Sequence, residues 1–206
     1  MTVILPMDFT QYIAYAGTFV FALTGALKAR SFQMDIFGAA VLAFVTAYGG
    51  GTVRDLLIGR QPVNWINDTL ALALVIGALL IVMLPKFNAA KFKKTIFITD
   101  AIGLGLFTIV GIDISLSYEV NGMYALVLGV ITATFGGLIA DMLSNTIPDL
   151  LKKGELYATA ALAGGITYIL LLRTGLTHFT AEIIGVILVV AIRIISKIKR
   201  LQLPEI

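Results

Sequence analysis

Two stretches of this chain set threonine, paired glycine and aspartate at the same spacing. Thr46–Asp55 and Thr132–Asp141 both read T-x-x-x-G-G-x-x-x-D. Each glycine lowers helix propensity by about 1 kcal/mol relative to alanine, and a glycine pair permits a kink or an unwound turn. Carbonyls freed there, with the threonine hydroxyls, would offer neutral oxygens to a cation. The aspartates add negative charge one turn further on. The candidates for a cation path are therefore Thr46, Gly49, Gly50, Gly51 and Asp55, with Thr132, Gly136, Gly137 and Asp141. The competing reading is close helix packing, the ordinary use of glycine in membrane helices.

Arg54 and Asp100 join the candidates because both are ionisable residues in apolar surroundings. A charge at the centre of a membrane helix costs at least ~2.5–3.5 kcal/mol. Arg54 either pairs with an aspartate or sets a positive barrier in the path. Asp113 and Glu119 read as solvated outer-loop residues, Glu182 as a cap on the last helix, and the lone His178 as a solvated loop residue. No cysteine is present, and no nucleotide loop, H-E-x-x-H pair or G-x-S-x-G elbow occurs. Neither enzymatic activity nor a bound cofactor or resident metal is expected.

The elements that would carry these residues are apolar helices. Of 206 residues, 59% are hydrophobic and 13% charged, with mean hydropathy +0.97. Seven apolar runs stand out, at 10–27, 36–58, 66–84, 95–112, 122–143, 156–172 and 180–195. Each approaches the ~20 residues that cross ~30 Å of hydrocarbon. Helices satisfy their own backbone groups there, and the ~10-residue alternating strands of a barrel are absent. The expected fold is an all-α polytopic membrane protein with seven transmembrane helices. The first run lacks a preceding positive charge and has Asp8 in its flank, so it reads as a retained helix, not a signal peptide. Pro85, the segment 59–65 and Pro148 mark loops.

Displaced by 86 residues, the chain resembles itself. Val41–Pro62 and Val127–Pro148 share nine of 22 positions without a gap, including Gly50/Gly136, Asp55/Asp141 and Pro62/Pro148. The same offset pairs Gly17, Phe21 and Gly25 with Gly103, Phe107 and Gly111, faces whose spacing suits packing. Three spans per copy make the second copy enter from the opposite side. The whole chain is then one transmembrane domain: inverted repeats at about 10–84 and 95–172, then a seventh helix at about 180–196. Such repeats place their polar path at the repeat interface.

Basic residues orient the spans. One side collects eleven: Lys28, Arg30, Lys86, Lys91, Lys93, Lys94, Lys152, Lys153, Lys197, Lys199 and Arg200. The other collects Arg60 and Arg173. By the positive-inside rule the N-terminus lies outside and the C-terminus in the cytoplasm. Tyr12, Tyr15, Trp65, Tyr118 and Tyr124 fall near the outer interface, as an aromatic belt would. The Lys91–Lys94 run reads as a cytoplasmic loop that could meet anionic lipid. A net charge of +3 is weak evidence about partners, and nucleic acid is not expected.

These features resemble the prokaryotic branch of the trimeric intracellular cation channels, whose members also carry a "glycine transporter" domain label. The resemblance covers nearly the whole chain. Its most specific residues are Tyr48-Gly49-Gly50-Gly51-Thr52-Val53-Arg54-Asp55 and the echo Phe135-Gly136-Gly137-Leu138-Ile139-Ala140-Asp141, which lacks the third glycine and the arginine. It implies a homotrimer in the cytoplasmic (inner) membrane of a prokaryote, each protomer passing K⁺ or Na⁺ through its own pore. That pore would run between the first, second, fourth and fifth helices and gate around a second and fifth helix broken at their glycines. Membrane lipids are the other implied partner. A secondary transporter for glycine or another small neutral solute is the alternative, and a structural membrane subunit a third.

Overall fold

The computed structural model describes residues 9–84, 89–152 and 156–204. Seven helices follow one another: α1 (Phe9–Ser31), α2 (Ile36–Leu57), α3 (Thr69–Met83), α4 (Ala89–Ser117), α5 (Gly122–Leu143), α6 (Ala158–Leu171) and α7 (His178–Lys199). Five are long and apolar enough to cross a membrane. The exceptions are α3 and α6, of 15 and 14 residues. At ~1.5 Å per residue they reach only about 22 Å, so of the seven expected helices five are long and two short. For α3 the cause is local: Asp68 caps its start by accepting from the Ala71 amide at 2.9 Å. The chain before it forms turns.

Helices α1 and α4 extend beyond their apolar runs. Lys28 and Arg30 therefore belong to α1 and Asp113 to α4. Asp8, Pro85, Lys86 and Lys153 lie outside the described residues, as do the side chains of Lys91 and Phe92.

The repeat holds down to the helix ends. Helices α2 and α5 begin and end 86 residues apart. Their N-caps are Asp35 and Asn121, which accept from the amides of Gly38 at 2.7 Å and Met123 at 3.0 Å. Satisfying these otherwise orphan donors fixes where each helix starts. After the helices, the Arg60 amide donates to the Asp55 carbonyl at 2.8 Å and the Thr146 amide to the Asp141 carbonyl at 2.9 Å. The left-handed residues at the turns, Gly59 and Asn145, also correspond.

Helices α1, α2, α4 and α5 form the core. Here α1 packs on α2 and α4, and α5 packs on α4 and α2. Contacts between the halves are reciprocal. Gly17 faces Phe107 while Gly103 faces Phe21, and Gly50 faces the Thr132 carbonyl while Gly136 faces that of Thr46. Reciprocity of this kind (i on j′, j on i′) is the mark of a two-fold relation. Small buried residues such as Ala22, Ala26, Ala43, Ala47 and Ala133 let these backbones approach. The short α3 packs on α1, whereas α6 packs on α5 and α4; α7 covers α4 and α6 and breaks the symmetry. Outward faces carry large exposed apolar side chains, among them Leu72, Ile76 and Leu80 of α3 and Ile187 and Ile198 of α7.

Candidate functional site

The glycine motifs sit where α2 crosses α5. A methyl group on Gly50 would overlap the Thr132 carbonyl, and one on Gly136 would overlap the Thr46 carbonyl. The Gly49 position lies 3.2 Å from the Gly136 Cα. Both helices continue unbroken through these residues, contrary to the expected break at the glycines. The physical reason is that the helix ladder keeps its carbonyls while the missing side chains admit the neighbouring backbone. The threonine hydroxyls are likewise satisfied within their helices: Thr46 donates to the Leu42 carbonyl and Thr132 to that of Leu128, both at 2.6 Å. Phe21 and Phe107, with ring centroids 5.1 Å apart, add an apolar contact to the same core.

Polar cavities open at the two ends of this core. The first, of about 500 Å³, lies between the end of α1, the early part of α4, the end of α5 and the later part of α7. Asp100 and Asp141 line it together with Lys28, Lys93, Asp149, Tyr157, Arg193 and Lys197. Lys28 Nζ lies 2.9 Å from Asp141 Oδ1 and 3.9 Å from Asp149 Oδ2. Arg193 Nη2 lies 3.7 Å from Asp100 Oδ2, and the Tyr157 hydroxyl donates to Asp100 Oδ1 at 3.2 Å. The Arg193 guanidinium also sits over the Tyr157 and Phe97 rings. In the loop after α5, burial pushes the Asp149 carboxyl up. Lys152 at 2.6 Å and the Lys28 charge outweigh that, so its pKa lies below the ordinary value.

The second cavity, of about 360 Å³, lies between the start of α1, the end of α4 and the segment leading into α3. Tyr15, Tyr48, Trp65, Asp68, Asp113 and Tyr118 contribute to its walls. Three of the five expected belt aromatics thus converge here, while Tyr12 and Tyr124 are exposed. Trp65 Nε1 donates to Thr52 at 3.0 Å, and the Tyr15 hydroxyl reaches Asp68 Oδ1 at 3.5 Å. Tyr48 Oη and Asn64 Oδ1 are buried without hydrogen-bond partners, which leaves oxygens available to water or a cation.

Arg54 and Asp55 lie outside the walls of both cavities. Asp55 is fully buried and Arg54 nearly so. Arg54 Nε and Nη2 reach Asp55 Oδ1 at 3.0 and 2.7 Å, while Asp55 Oδ2 accepts from the Asn64 amide at 2.8 Å. Of the two expectations for Arg54, pairing with an aspartate is what the structure contains. Asp141 holds its own following loop in the same way, accepting from the Asp149 amide at 3.0 Å. Both aspartates therefore anchor loops, and Asp141 alone also faces a cavity.

The apolar run stops at Leu27, one residue before Lys28. The hydrogen-bonded helix continues to Ser31 and buries Lys28. Arg193 lies inside an apolar run, which is itself a signal, whereas nothing in the spacing marks Tyr157. The expectations at the other end also change. Glu182 is completely buried and accepts from Thr10 at 2.6 Å, while Thr177 is the cap of α7. Asp113 is held by Tyr168 and His178, whereas Glu119 is exposed as expected.

The sequence profile of the glycine-transporter family matches residues 11–86 and again residues 97–173, one match in each half. A membrane protein of the UPF0126 group from Vibrio cholerae is 40% identical over 91% of this chain and 79% of its own. The UPF0126 inner membrane protein YadS of Escherichia coli K12 is 36% identical over 94% of both chains. Among solved structures, the TRIC trimeric intracellular cation channel orthologue from Rhodobacter sphaeroides superposes with a TM-score of 0.84 at 33% identity. It covers 93% of this chain and 98% of its own. A prokaryotic TRIC channel in 0.5 M KCl gives 0.85 at 31% identity, over 94% and 98%.

Proposed function

The chain belongs to the TRIC cation channel family, which carries the glycine-transporter domain, and from that membership we propose that it is a channel for monovalent cations such as K⁺ and Na⁺. It is a multi-pass protein of the bacterial inner membrane. It works as a homotrimer with one path in each protomer, its N-terminus outside and its C-terminus in the cytoplasm. The path runs between α1, α2, α4 and α5. The observation that carries this reading is the pair of polar cavities at opposite ends of those four helices, separated by a close-packed glycine, threonine and phenylalanine layer. Wet vestibules either side of a constriction are what conduction and its control require.

On this reading the path is closed at the crossing of α2 and α5. Opening separates α2 from α5 where Gly50 and Gly136 meet the opposing carbonyls, and releases threonine and backbone oxygens to the ion. Asp141 and Asp100 attract cations at the cytoplasmic vestibule, and Lys28 and Arg193 set how strongly. Asp55, tied to Arg54 and the following loop, acts by holding the end of α2.

Single-channel recording from the purified protein in planar bilayers tests the proposal. Unitary K⁺ currents are expected, with Cl⁻ excluded. Saturable glycine uptake without any unitary current would establish the carrier reading instead, since a carrier never opens to both sides at once.

A further inference from the structure

Where α7 begins, three potential metal ligands from two helices converge. His178 Nε2 lies 2.9 Å from Asp113 Oδ1, and His178 Nδ1 lies 3.5 Å from Glu182 Oε1. Ligand atoms of the three residues lie within 4.8 Å of one another. A tetrahedral site with bonds of about 2.1 Å spaces its ligands by about 3.4 Å, a difference that side-chain torsions can close. The Thr10 hydroxyl of α1 contacts both carboxylates, 3.0 Å from Asp113 Oδ2 and 2.6 Å from Glu182 Oε1.

The second observation concerns Glu182 itself. Its side chain is completely buried, and its other oxygen, Oε2, has no hydrogen-bond partner. A buried carboxylate with an unmet oxygen is costly. Among the described residues no lysine or arginine forms an ion pair with Glu182 or Asp113. Two carboxylates thus share one half-exposed imidazole, and a divalent cation held at the Glu182 carboxyl would supply the missing positive charge.

We propose that Asp113, His178 and Glu182 bind a divalent transition-metal ion of the Zn²⁺ type, which clips the start of α7 to α4 beside α1. One imidazole nitrogen ligates the metal. The other keeps its hydrogen bond to the neighbouring carboxylate or to the Tyr168 hydroxyl, which lies 3.1 Å from Nε2 and donates to Asp113 at 2.8 Å. That second contact is how metal-bound histidines are usually oriented. A mixed nitrogen and carboxylate set favours Zn²⁺ and its neighbours over Ca²⁺ or Mg²⁺, which take oxygen ligands.

The chain contains one histidine and no cysteine, so Zn²⁺ binding to tag-free protein reports on this imidazole without interference from another. Equilibrium dialysis of the purified protein against Zn²⁺ should give one ion per chain with a Kd below about 10 µM. His178→Ala and Glu182→Gln should each weaken binding at least about tenfold. Carbethoxylation of His178 in the unaltered protein, followed by mass spectrometry, supplies a readout that needs no variant. Zn²⁺ should slow it at least tenfold, and Mg²⁺ should not. Unchanged affinity in a folded His178→Ala protein, or modification at the same rate with and without Zn²⁺, would overturn the site. No current is measured, so the outcome is independent of the transport proposal.

Discussion

A buried lysine matters most at the scale of single residues. Lys28 and Asp141 form an ion pair across the two repeats with both side chains nearly out of solvent. Removing one partner of such a pair leaves the other buried and uncompensated, at a cost of about 3–5 kcal/mol. Asp141→Asn leaves Lys28 only Asp149, 3.9 Å away, and should therefore destabilise the protein by a part of that cost, read from thermal or denaturant unfolding in detergent. Lys28→Gln should act differently on transport, because it frees the Asp141 charge to face the cavity. Unit K⁺ conductance should rise about twofold at low salt and much less at high salt, where screening is strong. A fall in conductance at low salt would show that Lys28 holds the vestibule open instead of opposing cations. Asp149 supplies a pH test. Its folded pKa is depressed, so its stabilising contribution is complete above the unfolded value of about 3.9. That contribution is lost as pH falls through the lower folded value. The stability difference between wild type and Asp149→Asn should stay constant from pH 7 to about 5 and close below about 4. A difference that varies between pH 7 and 5 would assign the effect to another group.

At the scale of elements, the three consecutive glycines of α2 are physically distinct. Gly50 admits the Thr132 carbonyl and Gly49 sits against Gly136, whereas a methyl group on Gly51 would meet its nearest neighbour at an ordinary 3.7 Å. Gly50→Ala should cost about 1–3 kcal/mol through overpacking. Gly51→Ala should be neutral or stabilising by up to about 1 kcal/mol, since alanine favours the helix. Unfolding of the two variants side by side checks this, and equal losses would mean that the motif acts through backbone freedom and not through contact. If the α2–α5 crossing is also the gate, Gly50→Ala should alter open probability more than unit conductance. The glycine motif and its echo were legible from sequence as a repeated pair. Their use was not, because spacing cannot say whether a missing side chain admits an ion or another helix.

At the scale of the whole molecule, the inverted repeat puts related residues at opposite ends of one core, and the single α7 makes those ends unlike. One cavity gathers lysines and the other aromatics. The eleven-to-two distribution of basic residues predicts that the lysine cavity faces the cytoplasm. Since the chain has no native cysteine, single cysteines report cleanly. In intact cells a membrane-impermeant thiol reagent applied outside should label Arg60→Cys and leave Lys93→Cys unlabelled. The reverse pattern would invert the topology.

Composition and periodicity alone determined that the chain is helical and spans a membrane, because so apolar a chain must satisfy its backbone within each element. They also determined the repeat, since Gly-Gly, aspartate and proline recur in register, and the motif residues pointed to the family. Whether a polar side chain meets a cavity, a partner or a loop was decided by tertiary structure. Asp55 and Asp141 occupy equivalent positions, yet Arg54 neutralises one from the next residue while Lys28 reaches the other from a different helix. His178, Asp113 and Glu182 meet only because α7 folds back across the end of α4. Those contacts bring together residues as many as 172 positions apart, such as Thr10 and Glu182. The number of helices limits such contacts, but only their packing angles and end points select among them.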